Sequence, residues 1–422
     1  MLLLDRMKMH LGLVLVLAGV ALNLWAGIAL PDAISNLYAS AQSPDLWFLM
    51  IIMALVLEIG RFMTSDGNAE EMLNAARRWG GRHGGVASVI ALPAILGLIP
   101  MPAGALLSAP FVDEAGNKIK ATPEWKAAVN YWFRHIWEYW WPLYPGVLIG
   151  MSLFTIPMWK FILTQCTFTL AALTAGYFFL VRPNAKALSE VPHIDEGTYG
   201  RALLIFSPLV IVILSFFLMP QVVRSILPGI SETSERNISS IFGLLIGLLV
   251  VLADRYRRMK KGEQLSHKIF SSLVEKKAIS LQFSIAGVMI FKEMLAHSGL
   301  LPVASGELAG SGIPLTLVVM TLPFMAGMVT GITVGFAGTS FPLVVGLMQA
   351  QPDLLPPLAT LVLAYSVGYM GIILSPVHLC LIVTRDYFKS SIRLIFKALT
   401  ACVITIIIYS MAMHYILLFF KV

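Results

Sequence analysis

Charge is what this chain lacks. Asp, Glu, Lys and Arg together make up 13% of its 422 residues, where a soluble protein carries about a quarter. The longest polar stretches, 61–85 and 254–277, are loop-sized, so no soluble domain is visible. Cysteine is nearly absent. Cys166, Cys380 and Cys402 all lie in apolar segments, which argues against a disulfide framework. There is no P-loop, HExxH or GxSxG, hence no sign of ATP drive or of a hydrolase. The chain reads as a non-enzyme with neither cofactor nor metal.

What it has instead is oil. Hydrophobic residues make up 58% of the chain and its mean hydropathy is +0.81. Apolar runs of about 20 residues recur from end to end, each long enough to cross a hydrocarbon core. The expected fold class is an all-α polytopic membrane protein. The net charge of +7 fits a positive-inside bias and not a nucleic-acid partner. The basic, apolar N-terminus has too long a core for a signal peptide and is read as a first span.

The apolar segments fall at 11–31, 45–61, 86–112, 127–151, 157–181, 202–221, 238–254, 279–299, 314–347, 357–384 and 391–420. Two are irregular: 86–112 holds four prolines, and 314–347 is cut by "GMVTGITVGFAGTSFP". If both cross the membrane, Lys and Arg divide 13 inside to 15 outside; if both enter and return, the division is 24 to 4. The positive-inside rule selects the second arrangement. It gives nine spans and two re-entrant hairpins, with the N-terminus inside and the C-terminus outside.

That order exposes an inverted repeat. Residues 1–182 run span, span, hairpin (86–112), broken span (127–151), span. Residues 238–422 run span, span, hairpin (314–347), broken span (357–384), span. Residues 183–237, with span 202–221, link the two. Inverted repeats with interrupted helices at the midplane characterise secondary transporters, whose solutes bind there.

Irregular backbone at membrane depth is tolerated where it is buried in protein or lines a wet cavity. The two hairpin tips are therefore expected to mark the solute site. The first contributes Pro102, Gly104 and Ser108. The second contributes Thr333, Gly335, Gly338, Thr339 and Ser340. Glycine lets backbone approach a ligand, and freed helix N-termini favour anions. The plainer reading of each small residue is close helix packing.

Between the hairpins lies "NYWFRHIWEYWWPLYPG", 130–146. Asn130 and Arg134 are taken as solute contacts, and His135 and Glu138 as proton-coupling groups. At three- and four-residue spacing Arg134, His135 and Glu138 are neighbours on a helix. A carboxylate near the midplane is a functional candidate by default; the plainer reading is a self-neutralised Arg134–Glu138 pair. Pro142 and Pro145 should break the helix just past Glu138. The tryptophans are read as interface anchors and packing. In the second half, Ser375 and His378 flank Pro376, and a histidine titrates in the range that suits proton coupling.

The segments "IPMPAGALLSAP", "NYWFRHIWEYWWPLYPG", "GFAGTSFP" and "LSPVHL" resemble an uncharacterised prokaryotic membrane family, a domain of unknown function, similar to gluconate permeases of the ion transporter superfamily. The resemblance implies a proton- or sodium-coupled symporter of the cytoplasmic (inner) membrane that carries a small anionic solute such as an organic acid. It also implies an elevator-like motion and a homodimer. The sodium-coupled branch has Ser-Asn-Thr at its tips, whereas "PMPAG" and "AGTSFP" hold no Asn, which favours protons over Na+. A lipid-binding or lipid-translocating protein, or a membrane scaffold, on the same fold is the alternative.

Overall fold

The computed structural model describes residues 9–420 except 69, 73, 76, 77, 79–83, 99–103, 191–201, 264, 266–270 and 311. The described residues are helices and short turns, with no strand among them. The chain is a multi-pass helical membrane protein. Seven described helices are long and apolar enough to span a bilayer, and five shorter ones are equally apolar.

Helix α1 (Leu11–Trp25) ends early, at Gly27 with φ 84°, and α2 (Leu30–Ala41) follows. The span expected at 11–31 is thus shorter, because the left-handed Gly27 turns the chain. Next come α3 (Pro44–Thr64), α4 (Gly84–Gly97), α5 (Ala105–Lys118), α6 (Pro123–Arg134), α7 (Pro145–Phe154) and α8 (Met158–Gly176). Short helical turns continue from α8 to Ser189 and lead to α9 (Ala202–Ile226), α10 (Glu232–Lys260), α11 (Lys276–His297) and α12 (Leu300–Gly310). The chain closes with α13 (Leu315–Thr330), α14 (Thr333–Ala350), α15 (Pro357–Ile373), α16 (Leu379–Phe388) and α17 (Ile392–Phe419).

Packing between these helices is reciprocal. Helix α1 packs on α11, and α3 on α10. Helices α4 and α5 pack on each other, as do α13 and α14. Helix α4 lies on α6, and α13 lies on α15. The return arms exchange partners: α14 packs against α7 and α5 against α16. Small residues allow the closest of these approaches. A methyl group on Gly327 or Gly371 would strike backbone of the facing helix in the α13–α15 contact, so here glycine serves helix packing.

The α13–α14 turn is two residues, Gly331 and Ile332. Gly331 has φ 63°, a left-handed conformation that glycine adopts without a Cβ clash. The corresponding α4–α5 connection runs through 99–103, so Pro102 lies outside the described residues.

Candidate functional site, where two broken helices cross

The site is built on interrupted helices. Helix α6 stops at Arg134, and residues 135–140 form turns before α7 begins at Pro145. The break therefore starts before Glu138, four residues earlier than the prolines suggested. Proline at 142 has no N–H to give the carbonyl four residues back, which is that of Glu138. That carbonyl is taken by the Tyr365 hydroxyl at 2.9 Å. The His135 carbonyl accepts from the Tyr369 hydroxyl at 3.0 Å, and that of Ile136 from the Thr169 hydroxyl at 2.7 Å. Backbone freed in the membrane needs such partners, and two of these three donors come from α15.

The second break mirrors this. Helix α15 ends at Ile373, and α16 starts at Leu379. The Tyr131 hydroxyl of α6 donates to the Ile373 carbonyl at 3.2 Å. Ser375 Oγ donates to the Met328 carbonyl at 2.7 Å, joining the break to the end of α13. The first break is thus held by two tyrosines of the second broken helix, and the second by one tyrosine of the first.

Ionisable side chains gather where the breaks meet. Arg134, His135 and Glu138 are buried, at 1%, 2% and 7% exposure. One Arg134 Nη donates to the Gly97 carbonyl at 3.3 Å and to the Tyr144 hydroxyl at 3.1 Å. The Tyr144 hydroxyl in turn donates to the Gly97 carbonyl at 2.6 Å. Glu138 Oε1 lies 4.0 Å from Arg134 Nη1 and 3.8 Å from His135 Nε2. His378, from the second break, sets its Nε2 3.2 Å from that of His135. These contacts give a charge cluster more nearly centred than a simple Arg–Glu pair, because Glu138 is shared.

The other sequence-predicted residues fall into three groups. Ser108 and Asn130 meet: the hydroxyl donates to the Asn130 amide oxygen at 2.6 Å, and the amide nitrogen to the Ala105 carbonyl at 2.9 Å. They lock α6 to the first turn of α5, next to Gly104, the residue before that helix. Thr333 opens α14, and its side chain would meet a methyl group placed on Gly146, so the N-termini of α7 and α14 abut. Thr339 and Ser340 donate to carbonyls of their own helix, those of Gly335 and Phe336. Gly335 faces Thr330, and Gly338 faces Val288, so the geometry at these glycines is that of packing.

The tryptophans do more than anchor an interface. Trp125, Trp132, Trp137 and Trp141 give their indole N–H to the carbonyls of Leu180, Ala172, Ala94 and Leu98, and Trp140 gives its own to the Thr169 hydroxyl. They fasten the first break to α4 and α8. Lys292 and Glu293, adjacent in sequence, pair with each other at 3.1 Å. Tyr131, Tyr144, Tyr365, Tyr369, Thr169 and Cys380 were not singled out from sequence. Tyr365 and Tyr369 stand four apart, on one face of α15, a spacing that could have revealed them.

No curated protein matches the chain. Among solved structures, it is similar to the crystal structure of the Alcanivorax borkumensis YdaH transporter, described as having an unusual topology, with a TM-score of 0.63 and 11% identity over 98% of this chain and 99% of that one. The shared fold extends over both chains. The family described as "Protein of unknown function (DUF401)" matches residues 4–416, and the chain belongs to that family.

Proposed function

We propose that the protein is a secondary transporter that moves a small anionic solute, of the organic-acid class, together with protons. The observation that carries this reading is the crossing of two broken helices over a buried Arg–His–Glu cluster, inside a reciprocal packing of two chain halves. Residues 1–182 and 238–422 are the two inverted repeats, joined through 183–237, with the N-terminus in the cytoplasm, the C-terminus outside and the cytoplasmic (inner) membrane as its location. The likeness in fold to a transporter agrees with it.

Each part has a role. The abutting N-termini of α7 and α14 at Gly146 and Thr333 bring two positive helix ends together, which favours an anion. Arg134 adds a positive charge, held by the hydroxyl of Tyr144, the residue before α7. Glu138 is the proton carrier, flanked by His135 and His378. The hairpins α4–α5 and α13–α14 move with the broken helices against α1, α3, α10 and α11, in an elevator-like exchange, and the protein works as a homodimer. Protons are preferred to Na+ because the described part of the tips offers no Asn.

The lipid alternative asks for tryptophans lining a lateral opening. All five indole N–H groups around the first break instead point to internal partners, which weighs against it.

Uptake into proteoliposomes tests the reading. Wild-type protein should accumulate a labelled organic acid when the outside is acidified, and Glu138→Gln should lose that response. Unchanged acid-driven uptake by Glu138→Gln removes this residue from the mechanism. A cysteine at Lys120 should react with an impermeant maleimide only from the cytoplasmic side; labelling from outside would refute the first hairpin.

A further inference from the structure

The two facing histidines pose a problem of lone pairs. His135 Nδ1 lies 2.6 Å from the Tyr131 carbonyl, and His378 Nδ1 lies 2.7 Å from the Gly331 carbonyl. A carbonyl only accepts, so both Nδ1 atoms carry the hydrogen. In a neutral ring the other nitrogen, Nε2, then presents a lone pair. These two lone pairs face each other across 3.2 Å. Two acceptors do not rest at that distance without something positive between them.

A third donor converges on the same place. Cys380, a free and buried thiol two residues beyond His378, sets its sulfur so that it and one nitrogen of each ring all lie within 4.8 Å of one another. Glu138 Oε1 is 3.8 Å from His135 Nε2. Two nitrogens bound to a tetrahedral zinc at about 2.0–2.1 Å are separated by about 3.3–3.4 Å, close to the separation here. A ring N–H held by a backbone carbonyl is also the usual outer support of a zinc-bound histidine, because it fixes the tautomer and aims the free nitrogen.

We propose that His135, His378 and Cys380 form a three-ligand binding site for a thiophilic divalent cation of the zinc type, with the fourth position left to water or solute and Glu138 beside the site. The site spans both halves of the chain, so an ion held there ties the first break to the second. The Cys380 thiolate and the nearby Glu138 carboxylate offset the two charges of Zn2+, and Arg134, 4.0 Å from Glu138, leaves the cluster one charge positive and keeps the Gly97 carbonyl and the Tyr144 hydroxyl. Binding releases the thiol proton to solvent. The site lies next to the α13–α14 turn, where Ile332, Val377 and Leu379 are about half exposed. The inference goes beyond the transport reading and stands whatever solute is carried.

Cobalt titration of the full-length protein in detergent, after chelator treatment, tests it. One equivalent of Co2+ should bind, with a thiolate-to-cobalt charge-transfer band in the near ultraviolet that Zn2+ abolishes. The Cys166→Ser/Cys402→Ala protein, whose only thiol is Cys380, should keep the band. Cys380→Ser should lose the band, and His378→Gln should weaken Co2+ binding at least 100-fold. Absence of the band in wild-type protein or in the Cys380-only protein overturns the site and leaves the ring pair to share a proton. A band that persists in Cys380→Ser overturns it equally. The Cys380-only protein keeps the test decisive if Cys380→Ser does not fold.

Discussion

At the first break, helix α6 stops at Arg134, and His135 and Glu138 follow within four residues, ringed by tryptophans whose N–H groups bind neighbouring helices. At the second, α15 stops at Ile373 and the chain offers Ser375, His378 and Cys380, with no formal charge. The interruption is the same in kind: a proline in each, a freed carbonyl in each, and a tyrosine hydroxyl from the opposite helix on it. Backbone irregularity was duplicated, while the side-chain chemistry was divided. One half supplies the charge; the other supplies uncharged donors and the partly exposed face. A solute between them would meet fixed charge on one side and adaptable hydroxyl and imidazole groups on the other.

Breaking the charged half should have the largest effect. Arg134→Met leaves Glu138 buried without its cation, and removing one partner of a buried pair costs about 3–5 kcal/mol. A sharp fall in melting temperature and in monodisperse yield is expected. Stability equal to wild type would show that Glu138 is held neutral without Arg134. Glu138→Gln should lower the melting temperature less than Arg134→Met, since Arg134 keeps the Gly97 carbonyl and the Tyr144 hydroxyl, yet reduce acid-driven uptake at least tenfold. Together these variants separate structural from functional charge.

The reciprocal caps come next. Tyr369→Phe, which leaves the His135 carbonyl its longer bond from the Glu138 N–H at 3.4 Å, should cost less than Tyr365→Phe, which orphans the Glu138 carbonyl of the first break, at about 1–3 kcal/mol. Tyr131→Phe should do the same at the second break. Melting temperatures of the three variants compare the halves directly: similar losses sharpen the symmetry of the backbone, and loss on one side only would break it. Gly331→Ala forces a Cβ into the left-handed turn of the second hairpin at about 1–2 kcal/mol, and against the His378 backbone nitrogen and the Ser375 hydroxyl at 3.0 Å as well. A Tm unchanged by that substitution would mean that the turn relaxes.

Much of this was legible in the sequence. Scarce charge and recurrent apolar runs announce a membrane-embedded helical fold. The glycine and proline clusters announce interruptions, and "RHIWE" announces a charge out of place. The extent of the first break was not legible. Proline at 142 marks where a donor is missing, but the residue that feels it is four positions earlier, and the helix unwinds back to His135. The caps were hidden for another reason. Tyr369 and His135 are far apart in sequence, and their contact exists only because α6 and α15 cross. The same crossing creates the His135–His378 pair: each histidine alone reads as an ordinary polar residue near a helix end. Cys380 reads as one more apolar position because sequence gives its neighbours along the chain and not those across the break.

The most direct test of the account is a thermal-shift screen of the purified protein, run at pH 5.5 and 7.5 with and without sodium, against carboxylates, sugar acids, inorganic oxyanions and lipid headgroups. A ligand that binds the folded state raises the melting temperature by mass action. The account predicts stabilisation by a small carboxylate, stronger at pH 5.5, indifferent to sodium, and with its pH dependence lost in Glu138→Gln. Stabilisation by lipid headgroups alone would contradict it.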